Sequence, residues 1–201
     1  MAMKIIGLTG GIGSGKSFVA GVATGFFPVF HISTDDIARE QMQRGGCSYN
    51  AVLKAFSEED GVVGEDGELD RQQLSKVVFA NRKKLDLLNS ITHPNVIEEM
   101  KRQIREAEQS GEYEAVLIES ALIFESGINT ICDSVWYVYA PTDCRKQRLK
   151  MSRGYSDEKT ESILDDQMSD DEFMRLSDET ILNDDSVTVE MMVLRISELL
   201  V

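Results

Sequence analysis

Five short apolar runs recur along the chain, Ile5–Thr9, Val29–Ile32, Ala115–Ile118, Val135–Tyr139 and Glu179–Leu182, separated by stretches in which apolar residues return at helical spacing. Runs of that length read as buried strands. Strands alternating with helices predict an α/β fold, one parallel sheet with helices on both faces. The run FVAGVATGFF, Phe18–Phe27, predicts a helix soon after the first strand. Between the second and third strands the pattern turns helical for about eighty residues, Asp35 through Gln109, broken by the turn-rich DGVVGEDGELD at Asp60–Asp70. A plain crossover needs only about a dozen residues. The excess predicts an inserted helical subdomain, and loops at the carboxyl ends of strands are where such folds bind ligands.

At 201 residues the chain suits one α/β core with appendages rather than two independent domains. The start, MAMKII, leads into the first strand with no signal-peptide pattern, and no apolar run nears the roughly 18 residues of a membrane span. A cytoplasmic protein that engages no membrane is expected. Cys47, Cys132 and Cys144 are odd in number and lack CxxC spacing, so they read as reduced thiols, small buried hydrophobes. With 35 acidic residues against 21 Lys and Arg, the net charge of −14 argues against nucleic-acid binding. Charges more than about 10 Å apart are screened, so a local cluster of cations can still hold a polyanion. One such cluster stands out. From Cys144 to Tyr155 the sequence CRKQRLKMSRGY carries Arg145, Lys146, Arg148, Lys150 and Arg153 without an acid, whereas a solvated helix face ordinarily mixes signs. Gly154 is placed to end its helix. The segment that follows, SDEKTESILDDQMSDDEF, reads as mixed, acidic, solvated helix.

The chemistry begins at GGIGSGKS, Gly10–Ser17, which completes GxxxxGK[ST] directly after the first strand. Phosphate oxygens need several donors at close range, and such a loop turns successive backbone N–H groups toward them. Gly11, Ile12, Gly13, Ser14, Gly15, Lys16, Ser17 and Phe18 are therefore the candidate nucleotide-binding residues. The Lys16 ammonium can reach the β- and γ-phosphates, and the Ser17 hydroxyl is placed to ligate Mg²⁺. The following helix turns its positive dipole end to the anion.

A kinase also needs a group that orients or deprotonates the acceptor. Asp35 stands where the second strand passes into a helix in HISTDDIAR, although Ser33, Thr34 and Asp35 are also natural helix caps. Asp35 and Asp36 cannot both face one site. Glu119, ending AVLIE, is a candidate to hold Mg²⁺ through water. His31 and His93 lack metal-ligand partners at fixed spacing, so no zinc site is expected. Trp136 and Tyr137 are expected to pack in or over the sheet.

Taken in order, TGGIGSGKS, Asp35-Asp36-Ile37-Ala38-Arg39, Thr92-His93-Pro94, Ala121–Glu125 (ALIFE), the Gln147-Arg148 pair with a later Arg153, and a last strand leading into Asn183-Asp184 resemble the dephospho-coenzyme A kinase family along almost the whole chain. The resemblance implies a P-loop kinase core spanning 1–201 with a five-stranded parallel sheet, a helical coenzyme-binding insertion at about 36–110 and a lid at about 142–170. It implies that ATP with Mg²⁺ phosphorylates the ribose 3′-hydroxyl of dephospho-coenzyme A. It further implies that Asp35 is the base, that Arg148 and Arg153 are lid arginines, and that Asn183 belongs to the nucleotide site. Arg39, His93 and Leu122 fall on the acceptor side, with His93-Pro94 read as a turn. The chain departs from the family's usual pattern at Ser33, where Asp is usual, at Phe18 in place of Thr, at Ala121 in place of Pro, and at Glu119 where Asp is frequent. A kinase for another small nucleotide or hydroxylated metabolite is the alternative. A regulatory nucleotide switch is disfavoured, since no NKxD string occurs.

Overall fold

A computed structural model describes residues 2–201. The chain divides into two compact units, Met1–Ser33 with Glu106–Val201, and Thr34–Arg105. In the first unit the strands β1 (Lys4–Thr9), β2 (Val29–Ser33), β3 (Ala115–Glu119), β4 (Ser134–Tyr139) and β5 (Glu179–Leu182) form one sheet of order β2-β3-β1-β4-β5. Every pairing is parallel. Each predicted strand is present, and its ends agree to within a residue.

One face of the sheet is covered by α1 (Lys16–Phe26) and α9 (Val189–Leu200). Val19, Ala20, Val22 and Ala23 repeat at helical spacing and pack with Ile6, Leu8, Leu117, Trp136, Val138, Met192 and Ile196 in one core cluster. Each large side chain removed from water there contributes roughly 1.5–3 kcal/mol. The helix stops where Phe27 turns extended and Pro28 removes the next donor. Trp136 and Tyr137 are both fully buried, as expected from their place in β4. On the opposite side Tyr137 stacks on Phe173 of α8 (Asp170–Leu176), with ring centroids 4.9 Å apart. The parallel registers Leu8↔Glu119 and Ser33↔Glu119 bring the carboxyl ends of β1, β3 and β2 to one edge. The glycine loop leaves β1 at that edge.

Beyond β4 come α6 (Thr142–Arg153) and α7 (Asp157–Asp165). Gly154 ends α6 in the left-handed conformation, with the Tyr155 N–H donating to the Leu149 carbonyl, so the predicted terminus is present. The three cysteines are free, but the expectation that they are buried fails. Cys47 is exposed, and Cys132 and Cys144 are half-buried at element edges.

The second unit is helical, with α2 (Thr34–Gln41), α3 (Tyr49–Ala55), α4 (Arg71–Phe79) and most of α5 (Arg82–Ser110). Its own core gathers Val52, Phe56, Val62, Leu74 and Val78. The turn-rich segment closes through a bridge between Val63 and Leu69, and Asp70 then caps α4 by accepting from the Gln72 and Gln73 N–H groups. The expected His93-Pro94 turn is absent, because Pro94 lies inside the 29-residue α5. Proline lacks the N–H that would bond to the Ser90 carbonyl. Side-chain anchors hold the helix through this point. Asn95 Nδ2 donates to Ser48 Oγ at 3.0 Å, and Gln41 Nε2 donates to the Asn95 carbonyl at 3.0 Å. Pro94→Ala supplies the missing donor, so the unfolding free energy in denaturant titration should rise by about 1–3 kcal/mol. Unchanged or lowered stability would mean that α5 accommodates the ring without cost.

Candidate active site

The loop Gly10–Gly15 owes its shape to carbonyls engaged from behind. The Gly11 carbonyl accepts the Ser14 N–H at 3.2 Å, and the Gly15 carbonyl accepts the Phe18 and Val19 N–H groups at 3.0 and 3.1 Å. Lys16 Nζ donates to the Gly10 carbonyl at 2.8 Å, and the buried Asn183, just past β5, donates its Nδ2 to the Ser14 carbonyl at 2.7 Å. Two glycines are required by close approach. A Cβ on Gly15, whose φ is 91°, would overlap Asn183 Nδ2, and one on Gly11 would overlap the Arg145 guanidinium. Gly15 caps α1 without a side-chain bond, and the first turn of α1 contains no acid. The first N–H groups of a helix have no intrahelical partner and carry its positive dipole end, a setting for phosphate.

At the neighbouring strand ends Ser17 Oγ donates to Glu119 Oε1 at 2.8 Å, and His31 Nε2 lies 3.0 Å from Glu119 Oε2. Register explains the meeting. Glu119 lies level with Leu8 and Ser33, so it shares the face on which α1 packs. Burial raises the Glu119 pKa, but hydrogen bonds from His31 and Ser17 and the charges of His31 and Lys16 outweigh it. The carboxyl is held below the usual range, as a carboxylate. The donor set fits Mg²⁺. With its one hydrogen donated to Glu119, Ser17 Oγ keeps lone pairs for a hard cation, which takes its other oxygens from phosphate and water. Among the described residues no cluster of three or more acidic, His or Cys side chains could hold a metal unaided.

The basic run is not unpaired. Its acids come from later in the chain. Arg145 is buried and pairs with Asp170 at 3.2 Å, Lys146 with Glu161 at 2.6 Å, and Arg148 with Asp185 at 3.1 Å. The segment expected to be solvated surface is mostly exposed, but it supplies two of these acids, Glu161 and Asp170, because α7 and α8 fold back beside α6. Arg148 also donates to the Asn183 carbonyl at 2.9 Å, next to the glycine loop. Arg153 is exposed, past the last buried turn of α6, with its guanidinium 6.0 Å from the Tyr155 ring centroid.

Sequence reasoning missed two partners of the loop. Gln167 Oε1 accepts the Ile12 N–H at 2.9 Å, and nothing in the local pattern distinguishes this Gln. Arg145 packs against Gly11 while bonded to Asp170, which also accepts the Tyr137 hydroxyl at 2.6 Å. Its signal was available in the four-residue spacing to Leu149, the other buried position of α6. The contact of His31 with Glu119 was likewise not read.

Of the remaining candidates, Phe18 and Leu122 are 41% and 44% exposed, enough to offer apolar contact to a ligand. Asp35 and Asp36 occupy the first turn of α2, where Asp36 and Arg39 form an ion pair at 2.5 Å. His93 lies half-buried on α5, and burial lowers its pKa.

A glycine loop with these engaged carbonyls, at the carboxyl edge of a parallel sheet of this order, defines a P-loop phosphotransferase. The sequence profile of the family "Dephospho-CoA kinase" matches residues 4–189. The dephospho-CoA kinase of Carboxydothermus hydrogenoformans is 37% identical over 188 residues, covering 93% of this chain and 89% of that protein. That of Bacillus cereus is 40% identical over 184 residues, covering 91% and 90%. Among solved structures, TT1252 from Thermus thermophilus aligns with a TM-score of 0.83 and 26% identity over 99% of this chain and 96% of that one. The chain belongs to the dephospho-CoA kinase family. The reaction is the ATP-dependent phosphorylation of dephospho-CoA to CoA, the last step of CoA biosynthesis.

The His93 shift makes a prediction whose sign is fixed. A folded-state pKa below the unfolded value of 6.5 means that protonation favours the unfolded chain. The contribution is present above that pH and lost as pH falls through it. Wild-type protein should therefore lose more stability than His93→Gln when denaturant midpoints are compared at about pH 7.5 and pH 5.5. Equal losses would show that His93 is solvated as in the unfolded chain.

Proposed function

We propose that the chain transfers the γ-phosphoryl group of ATP to the ribose 3′-hydroxyl of dephospho-CoA, giving CoA and ADP. The single observation that carries this is the family match across residues 4–189, which includes the whole glycine loop. The acceptor oxygen forms the new P–O bond, the bond from γ-phosphorus to the β-bridging oxygen breaks, and Asp35 takes the hydroxyl proton. What supports Asp35 as the base is its exposed position two residues past the end of β2, in the first turn of α2. Gly11–Phe18 and Asn183 hold the nucleotide. Lys16, Arg148 and Arg153 stabilise charge on the transferring group, the dominant contribution in phosphoryl transfer. Ser17, oriented by Glu119, is the protein ligand of Mg²⁺. When bound, the cation neutralises charge on the phosphate oxygens. Arg39, His93 and Leu122 contribute to the acceptor site, with Thr34–Arg105 as the acceptor-binding subdomain and about 142–170 as the lid. The setting is cytoplasmic, consistent with the absence, among the described residues, of any helix long and apolar enough to cross a membrane.

Incubation with Mg-ATP and dephospho-CoA should add one phosphate to the acceptor by mass spectrometry, on the ribose by fragmentation. Phosphorylation of shikimate or adenylate with dephospho-CoA untouched would overturn the assignment. Asp35→Asn should bind ATP normally and lose roughly 10²- to 10⁴-fold in kcat, the usual worth of a positioned base, toward the low end if the transition state is loose. Lys16→Ala should lose at least as much. An Asp35→Asn variant with wild-type turnover would reduce Asp35 to part of a helix start.

A further inference from the structure

His31 is absent from the roles above, yet it bonds the Glu119 oxygen that Ser17 does not. β2 and β3 run parallel with His31 level with Leu117 and Ser33 level with Glu119, so both side chains leave the sheet on one face, two residues apart in register. The side chains of His31 and Glu119 are 29% and 12% exposed. Water competes little for the carboxylate. One Glu119 oxygen receives the Ser17 hydroxyl at 2.8 Å, and the other meets His31 Nε2 at 3.0 Å. A carboxylate has acceptors only, so Nε2 is the donor. A glutamate held at one oxygen alone can still swing about its remaining torsions, and a donor on the second oxygen removes that freedom. Once Glu119 is fixed, the direction of the Ser17 O–H bond is fixed, and with it the direction of the lone pairs left for a cation. No other His–carboxylate contact occurs among the described residues.

We propose that His31 is a positioning residue of the cation site, acting through Glu119 to aim the Ser17 hydroxyl. The inference rests on the reading of Ser17 as the protein ligand of nucleotide-bound Mg²⁺. Removing His31 leaves the glycine loop and its backbone donors in place, so the loss falls on the metal-dependent part of nucleotide binding.

The test is calorimetric titration of the full chain with ADP over a series of Mg²⁺ concentrations, and again in EDTA. In His31→Ala the Mg²⁺ concentration for half of the metal-dependent gain in ADP affinity should rise about 3- to 10-fold, the worth of one net hydrogen bond, while ADP affinity in EDTA stays as in wild type. His31→Gln, which keeps an N–H donor, should return to within about twofold of wild type. His31→Leu keeps the volume without the donor and should shift as His31→Ala does, including where the alanine variant fails to fold. Mg²⁺ dependence unchanged in both donor-free variants, even with a lowered melting temperature, would leave His31 a structural residue and overturn the proposal. So would a His31→Gln variant that shifts as far as His31→Ala. Wild-type ADP binding indifferent to Mg²⁺ would instead overturn the reading of Ser17, an outcome distinct from equal Mg²⁺ dependence in wild type and variants.

Discussion

The carboxyl edge of the sheet depends on one constraint. A loop that is to present N–H groups to phosphate must have its carbonyls engaged elsewhere. Here Lys16 engages the Gly10 carbonyl, Ser14 that of Gly11, Asn183 that of Ser14, and the first turn of α1 that of Gly15. An unpaired buried carbonyl costs about 1–3 kcal/mol, so these partners set which way the loop faces. Asn183 reaches Ser14 only because β5 lies beside β4 and β4 beside β1, and the amide occupies the space a Gly15 side chain would need. The strand order is thus part of the loop's chemistry.

The cations follow the same economy of pairing. In a chain of net charge −14, an arginine carried into a buried setting needs a partner, and Asp170 provides it for Arg145 while anchoring the Tyr137 hydroxyl. Arg148 joins Asp185 to the Asn183 carbonyl, which ties α6 to the chain after β5. Polar contacts, Gln167 on Ile12 among them, thus join elements α6 to α8 to the loop, beside the apolar contact of the buried Leu149 with Gly13.

The strands were legible because parallel buried strands leave unbroken apolar runs, and the loop because its glycines and Lys16 follow one strand and precede one helix. The end of α6 was legible in Gly154. Pairings distant in sequence were not. Nothing near Arg145, Lys146 or Arg148 signals Asp170, Glu161 or Asp185, so the run looked unpaired when it is mostly paired. Pro94 looked like a turn because local propensity disfavours proline inside helices, whereas Asn95, Ser48 and Gln41 supply tertiary anchors that no local window contains. His31 was passed over as a lone histidine, since its partner is 88 residues away and appears only through the β2–β3 register.

The central claim, that the carbonyl-engaged loop is the phosphate site with Ser17 as its cation ligand, is tested most directly by a crystal structure of the chain with ADP and Mg²⁺. The account predicts β-phosphate oxygens within about 3.2 Å of loop N–H groups between Gly13 and Ser17, the cation on Ser17 Oγ, and the Ser17–Glu119 and Asn183–Ser14 bonds retained. A diphosphate bound away from the loop, or a cation held without Ser17, would contradict it.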